Sequence, residues 1–254
     1  MKKKIIYLLS VLLIVCCSCG ALVACDIFGG GEKNVDITLI VDDATYNYTV
    51  STSDFTVPAH TKSGYYLLGY FDSPTNGTKF IDGAGKAVTK WNTSNPTTLY
   101  AQWKSADGYN RKFTFREDDA LEYQDVVNIK VGIPAEEATV ILGNRDARIE
   151  FEVSFMIKRP SQFWGGVGEN TQTGYKIQIR DKSSKDNGSE VYGWQGVTMY
   201  GPEWASFKVS ISCKANVFKV DSNGSVNAYV SIEGGAFACY NYIKDIHIEF
   251  NMVI

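Results

Sequence analysis

Cys25 is the residue of this chain whose chemistry is most clearly defined by its neighbours. Three lysines, Lys2 to Lys4, precede an apolar run over Ile5–Val15, and Leu22-Val23-Ala24 lie directly before the cysteine. A positive start, an apolar body and a small residue before the cut are the parts of an export signal. A thiol directly after that cut can accept a lipid. We therefore expect residues 1–24 to be a signal peptide that is cleaved before Cys25.

These residues resemble the lipobox of bacterial lipoprotein signal peptides, which has Leu at −3, Ala at −1 and Cys at +1. Cys16 and Cys17 have no small residue before them, and Cys19 lacks an aliphatic residue at −3. The resemblance implies that Cys25 is the lipidated residue and that the protein is lipid-anchored on the extracytoplasmic face of a bacterial cell membrane. The alternative is an uncleaved anchor, since Ile5–Ala24 is about long enough to cross a bilayer.

Processing changes the net charge of the chain. The whole chain carries −3, and residues 1–24 contain three lysines and no acidic residue, so the mature chain carries −6. An acidic chain is a poor partner for nucleic acid and for anionic lipid headgroups. Attachment would come from the acyl chains on Cys25 instead. Residues 25–34 include three consecutive glycines and predict a flexible tether.

Two cysteines remain once the signal and the lipidated residue are set aside. They are Cys213 and Cys239. An exported location permits a disulfide between them, whereas two buried thiols would behave as small apolar side chains. Both interpretations stay open from the sequence.

No arrangement typical of an enzyme is present. His60 and His247 are the only histidines, and they form neither a metal-binding spacing nor a pair with a nucleophilic serine elbow. Glu117-Asp118-Asp119 with Glu122 could supply the two carboxylates of a glycosidase, but consecutive acids are usually solvated. We expect a protein that is not an enzyme and that has no cofactor and no metal site.

Alternating apolar and polar residues dominate the mature chain. They recur at Val35–Val41, Ile149–Ile157, Tyr175–Ile179, Phe207–Ile211 and Tyr242–Phe250. A period of two predicts strands, and no apolar series with helical spacing lasts three turns outside the signal. The chain is therefore expected to be mainly β.

Residues 35–104 resemble the Listeria–Bacteroides repeat, also called the internalin B-repeat. The similarity lies in Gly64-Tyr65-Tyr66-Leu67-Leu68-Gly69-Tyr70, in a turn at Asn76-Gly77, and in the closing Thr98-Leu99-Tyr100-Ala101-Gln102-Trp103. Tyr70 replaces the usual Trp, and an aromatic residue there is expected to pack in a small core. The resemblance implies a small β-grasp domain that acts as a spacer or a protein-contact module.

Residues 105–254 resemble the jelly-roll, galactose-binding-like sandwiches found as carbohydrate-binding modules. The similarity lies in a strand opened by Trp204, a strand ending at Gly234-Gly235, and a final strand over Tyr242–Phe250. In many such modules the first Asp of the last strand helps to hold a structural Ca²⁺. Lys244 stands at that position, and an ammonium group cannot bind a cation, so calcium is not expected.

Four aromatic residues beside glycines are the candidate glycan contacts. Aromatic faces stack on sugar C–H groups while a few polar groups fix the orientation. Two turn-rich segments, residues 162–170 and 192–196, supply Trp164, Tyr192 and Trp194, and Tyr200 follows. The alternative is that these rings close the open ends of a sandwich. Trp204 is left out because its position at the start of a core strand is typical of packing.

The sequence thus predicts a mainly β protein with a small β-grasp repeat domain followed by a jelly-roll β-sandwich. Its expected function is that of a membrane-anchored bacterial surface lipoprotein with a non-catalytic, glycan-binding sandwich held outward on the β-grasp spacer. A protein-binding adhesion lipoprotein without a sugar site is the alternative, and a glycoside hydrolase is the third.

Overall fold

The computed structural model describes residues 33–115, 121–123, 126–158, 172–234 and 241–254. The predicted signal peptide, Cys25 and nearly all of the tether lie outside the described residues. So do Trp164, Cys239 and the acidic run at Glu117-Asp118-Asp119. Among the described residues, no helix is both long enough and apolar enough to cross a membrane.

The first unit is one five-stranded mixed sheet. Its strands are β1 (Asn34–Val41), β2 (Ala44–Ser51), β3 (Tyr65–Phe71), β4 (Lys79–Asp82) and β5 (Thr98–Ser105). Their order is β2-β1-β5-β3-β4, and the central pair, β1 with β5, is parallel while the others are antiparallel. This is the strand order of a β-grasp sheet. The long connection from β2 to β3 carries no helix in the described residues.

The core and the turns of this unit agree with the sequence pattern. Tyr70 and Leu99 are fully buried in one apolar cluster, which confirms that the aromatic residue at position 70 packs in the core. Asn76 and Gly77 have φ angles of 59° and 84°. This left-handed backbone is the conformation that a tight turn demands and that Asn and Gly adopt most easily.

The second unit is a sandwich of two antiparallel sheets. Its strands are β6 (Asn110–Phe115), β7 (Leu121–Tyr123), β8 (Val126–Ile133), β9 (Arg148–Lys158), β10 (Gln172–Arg180), β11 (Val191–Tyr200), β12 (Ala205–Lys214), β13 (Val226–Gly234) and β14 (Asn241–Val253). The front sheet has the order β11-β10-β13-β8, and the back sheet has the order β12-β9-β14-β6, with β7 also pairing with β14. The chain is therefore mainly β, as the alternation predicts.

Helical structure in the described residues is limited to single turns. The α-helical turn α1 spans Thr139–Leu142, and 3₁₀ turns span Ala135–Glu137 and Ala215–Val217. Inward side chains of both sheets fill the sandwich core, with Phe151, Phe155 and Phe218 among the largest fully buried side chains. Odd-numbered residues of β9 point inward throughout the strand, which is the period of two seen in the sequence.

The junction between the two units is packed and hydrogen-bonded. Asn144 Oδ1 accepts a hydrogen bond from the Gly64 amide at 2.6 Å, and its amide group donates to the carbonyl oxygen of Tyr65 at 3.0 Å. The rings of Tyr66 and Tyr109 meet edge to face at 5.4 Å, and Ala106 is fully buried. The two units are therefore joined by specific contacts in addition to the chain itself. The domain boundary at residues 104 and 105 stays a prediction.

Candidate functional site

The outward surface of the front sheet carries two exposed aromatic rings. Trp194 is 60% exposed and Tyr200 is 64% exposed, whereas Met199 between them in sequence is buried. Both rings belong to the even-numbered residues of β11, so the pleat places them on the same, outward side. Six residues at about 3.3 Å each separate them by roughly 20 Å along the strand.

Glycines form much of the floor between these rings. In the register of β10 and β11, Trp194 lies opposite Gln178, Gly196 opposite Lys176, and Thr198 opposite Gly174. A Cβ added at Gly174 would meet no atom within 4 Å. The space above this part of the sheet is therefore open. We call Trp194, Gly196, Gly174, Lys176 and Tyr200 the aromatic face.

Lys176 supports the ring of Trp194. Its ammonium nitrogen lies 5.0 Å from the centroid of the indole ring, which is the distance of a cation–π contact. Glu233 is its cross-strand neighbour on β13. The face thus offers a ring, an ammonium donor and a carboxylate acceptor on adjacent strands.

A polar network is buried beside the aromatic face. Arg180 donates two hydrogen bonds to Gln178 Oε1, at 3.0 and 2.6 Å, and one to Glu233 Oε1 at 3.2 Å. Gln178 is only 2% exposed. The loop over residues 181–190 lies against this network, because the Ser184 amide donates to Asn128 Oδ1 at 3.0 Å and Arg180 donates to Ser189 Oγ. These groups hold the loop and fix the position of Glu233.

Tyr192 is separated from the two exposed rings. The pairing of β10 with β11 shifts between Ile179 and Arg180, so that Arg180 pairs with Val191 and Tyr192 is the extra residue of a bulge. Its ring packs edge to face on Phe218 at 5.4 Å. Burial raises the pKa of Tyr192 to about 12, and the carboxylates of Asp181 and Glu190 add to this rise.

Residues 192–196 form part of a strand and not a turn, which corrects the prediction of a turn-rich segment. The glycine at position 193 has a packing cause. A Cβ there would lie 2.8 Å from Ile211 Cγ2 and 3.1 Å from the carbonyl oxygen of Ser212. Only glycine lets β11 approach β12 this closely. Gly193 is therefore explained by packing between the two sheets, at the edge where β11 meets β12.

The other predicted residues lie elsewhere. Trp164 and Cys239 are outside the described residues, so neither the Trp164 contact nor the disulfide is tested. Burial raises the pKa of the Cys213 thiol to about 12.

Trp204 is half-buried, and Lys244 Nζ lies 4.7 Å from its ring centroid. Lys244, which stands where a calcium ligand would be in such modules, thus contacts the ring of Trp204.

The described residues hold no cluster of three or more His, Cys, Asp or Glu side chains that could bind a metal.

The outward surface of the back sheet differs from the aromatic face. It carries ion pairs, Lys208 with Glu152 at 2.6 Å and Lys112 with Glu249 at 3.6 Å. Such exposed pairs are typical of a solvated surface.

Sequence reasoning missed Lys176, Gln178, Arg180 and Glu233. A signal for the first three was present, because the alternation over Tyr175–Ile179 that predicts β10 also places its even-numbered residues on one outward side. Glu233 could not be found in this way, since its place beside Lys176 depends on the pairing of β13 with β10.

No protein-family model matches the chain, and no curated protein matches it. Solved structures show partial similarity. They include an arabinose-bound GH51 α-L-arabinofuranosidase (6% identity, 79% of this chain and 26% of that chain, TM-score 0.30). Another contains CBM22-1 and GH10 modules of a Clostridium thermocellum xylanase complexed with xylohexaose (14% identity, 56% and 28%, TM-score 0.25).

A third is a family 11 carbohydrate-binding module from Clostridium thermocellum in complex with a β-1,3-1,4-mixed-linked tetrasaccharide (8% identity, 74% and 96%, TM-score 0.21). This chain spans only about a quarter of the length of the first two structures. Carbohydrate-binding modules are thus among the proteins to which the chain is partly similar. At TM-scores of 0.30 and below, the similarity carries no argument about ligand or activity.

Proposed function

We propose that the protein is a lipid-anchored bacterial surface protein that binds a glycan, without catalysis, on the aromatic face of its sandwich. The observation that carries this proposal is the pair of exposed rings, Trp194 and Tyr200, on one side of β11 above a glycine floor. Aromatic rings exposed on one side of a strand offer flat apolar surfaces on which a ligand can stack.

A sugar chain suits this surface better than a purely apolar ligand. The rings can stack on sugar C–H groups, while Lys176 and Glu233 can donate to and accept from hydroxyl groups. Because roughly 20 Å separates Trp194 from Tyr200, one monosaccharide cannot touch both. The expected ligand is therefore a linear oligosaccharide that runs along β11.

The charge pattern supports a non-catalytic role. Glycoside hydrolysis generally requires two carboxyl groups on either side of the bond that is cleaved. Within the described strands of the front sheet, Glu233 is the one outward-facing carboxylate, and it is ion-paired with Arg180 at 3.2 Å. Within these described strands, the face can hold a sugar chain and has no second acid opposite the first.

The lipid anchor follows from the sequence at Leu22-Val23-Ala24-Cys25. A cysteine that carries several acyl chains is a stable anchor, since each buried CH₂ group contributes about 0.8 kcal/mol. The packed junction between the two units would then hold the aromatic face in a defined orientation relative to the β-grasp unit.

A glycan array with the full chain in detergent tests the proposal. Trp194→Ala and Tyr200→Ala should each weaken binding by about tenfold, since central aromatic contacts are often worth 1–2 kcal/mol. Tyr46→Ala is the matched control, because Tyr46 is an exposed aromatic residue of the first unit, 38% exposed, and binding should persist.

Equal glycan binding by all three variants would overturn the assignment of the face. Binding to cell-surface extracts that survives glycosidase treatment, with no response on the array, would favour the protein-binding alternative.

A further inference from the structure

A groove of about 300 Å³ lies at the other end of the outward surface of the front sheet. Tyr229 on β13 and Lys130 on β8 are cross-strand partners in its floor. The loop at residues 181–190 borders one side, and the turn that leads from Phe218 to β13 borders the other. Its volume is in the range of small-ligand sites.

Three lysines converge on this groove from three different elements. They are Lys130 on β8, Lys182 after β10, and Lys219 before β13. In the part of the chain that the structure describes, none of their ammonium groups forms a close ion pair, and Lys130 acts on Asp221 only at longer range. Ammonium groups without a close ion pair around a concave surface are a favourable environment for an anion.

The two carboxylates in the lining are occupied by their own loops. Asp181 Oδ1 accepts a hydrogen bond from the Glu190 amide at 2.7 Å. Asp221 Oδ1 accepts from the amides of Asn223 and Ser225 at 2.8 and 3.0 Å, and Asp221 Oδ2 accepts from Asn227. The hydrogen bond from Ser225, with those from Asn223 and Asn227 and with the charge of Lys130, lowers the pKa of Asp221.

The lining therefore carries one net positive charge, from three lysines and two aspartates, in a mature chain of net charge −6. It also carries two aromatic rings, Tyr192 and Tyr229, and the amide of Asn227. Rings and an amide suit a sugar, and the excess ammonium charge suits a carboxylate.

We propose that this groove is a second binding site, specific for a carboxylate-bearing sugar such as a uronic acid residue. The groove lies apart from the aromatic face. This second proposal rests on the proposed function in one respect only, namely that the ligand is a sugar. The lysines would donate to the sugar carboxylate, and a tyrosine ring would stack on the sugar ring.

The test measures binding of oligogalacturonate and hyaluronate oligosaccharides to the full chain in detergent, beside their carboxyl-reduced counterparts. The acidic forms should bind at least tenfold more tightly than the reduced forms, and added salt should narrow the difference. In a Lys130→Gln/Lys219→Gln variant, binding of the acidic forms should fall about tenfold, the loss expected for a charge-assisted hydrogen bond.

Lys112→Gln is the matched control, because it removes an exposed lysine of the back sheet, outside both the groove and the aromatic face, and should leave binding of the acidic forms unchanged. Trp194→Ala separates the two proposals, since it should weaken only ligands of the aromatic face. The proposal is overturned if no acidic oligosaccharide binds, if reduced and acidic forms bind equally, or if the double lysine variant binds normally. Displacement by inorganic phosphate at equal concentration would also overturn the assignment to a sugar.

Discussion

The backbone amide of Leu67 donates a hydrogen bond of 2.9 Å to Thr139 Oγ1, across 72 positions of sequence. Leu67 is fully buried in the core of the first unit, and Thr139, in the single helical turn α1, is 1% exposed. The hydroxyl group of one unit thus satisfies a buried amide of the other, next to the contacts of Asn144. A buried amide without a partner costs free energy, so the two units are coupled in stability.

Replacing Thr139 by valine should destabilise the chain by about 1–3 kcal/mol, because the shape is kept while the Leu67 amide loses its acceptor. Urea unfolding measures the change. Thr198→Val, at an exposed position of β11, is the control and should shift the free energy of unfolding by less than about 0.5 kcal/mol. Similar effects of the two substitutions would contradict a contribution of the Thr139 hydroxyl group to stability.

Gly193→Ala should destabilise the sandwich by about 1–3 kcal/mol, since the added methyl group has to displace Ile211 or the backbone of Ser212. Gly174→Ala is a matched control on the neighbouring strand, where the methyl group enters open space. That substitution should be neutral or slightly stabilising. Thermal unfolding of both variants measures the difference, and equal melting temperatures would contradict the close approach of β11 to β12.

Titration of thiols in the unfolded, mature chain should find two, those of Cys213 and Cys239. In the back sheet, Cys213 pairs with Ile149 of β9, whereas Tyr242 pairs with Lys158, nine positions further along β9. Nine positions span about 30 Å. The three residues from Cys239 to Tyr242 cover at most about 11 Å, and a disulfide needs Cα atoms within about 7 Å. A chain that shows thiols only after reduction would contradict this expectation.

Stability should fall in alkaline solution between about pH 10 and pH 12, in part because of Tyr192. The pKa of Tyr192 rises from 10.0 to about 12 on folding. The contribution of Tyr192 to the free energy of unfolding is therefore complete below pH 10 and is lost as the pH rises through 12. Urea unfolding as a function of pH should show a smaller alkaline loss for Tyr192→Phe. The variant Tyr200→Phe removes an exposed hydroxyl group and should lose as much stability in alkaline solution as the parent chain does.

Cys25→Ser should abolish incorporation of labelled palmitate and release the chain from the membrane fraction, because serine has no thiol to accept the lipid. Cys19→Ser should be lipidated normally, as that position lacks the aliphatic residue at −3. Labelling that moves to another cysteine, or that persists in Cys25→Ser, would contradict the predicted cleavage site.

Local patterns in the sequence determined much of the fold. Alternation at Ile149–Ile157 and Tyr242–Phe250 predicted β9 and β14, and Asn76-Gly77 predicted a turn, because the pleat and the left-handed φ are properties of a few adjacent residues. The same reasoning identified Trp194 and Tyr200 as candidates by residue type and by their neighbouring glycines.

The tertiary structure alone decided which of these residues lie together. The bulge at Tyr192, the contact of Lys176 with the Trp194 ring, and the meeting of three lysines from separate elements depend on strand register and loop placement. Register is set by hydrogen bonds and packing between segments far apart in sequence, and a shift of one residue would reverse every side chain. The sequence by itself therefore determined the strands and the chemistry available to them, while their pairing decided which side chains share a binding surface.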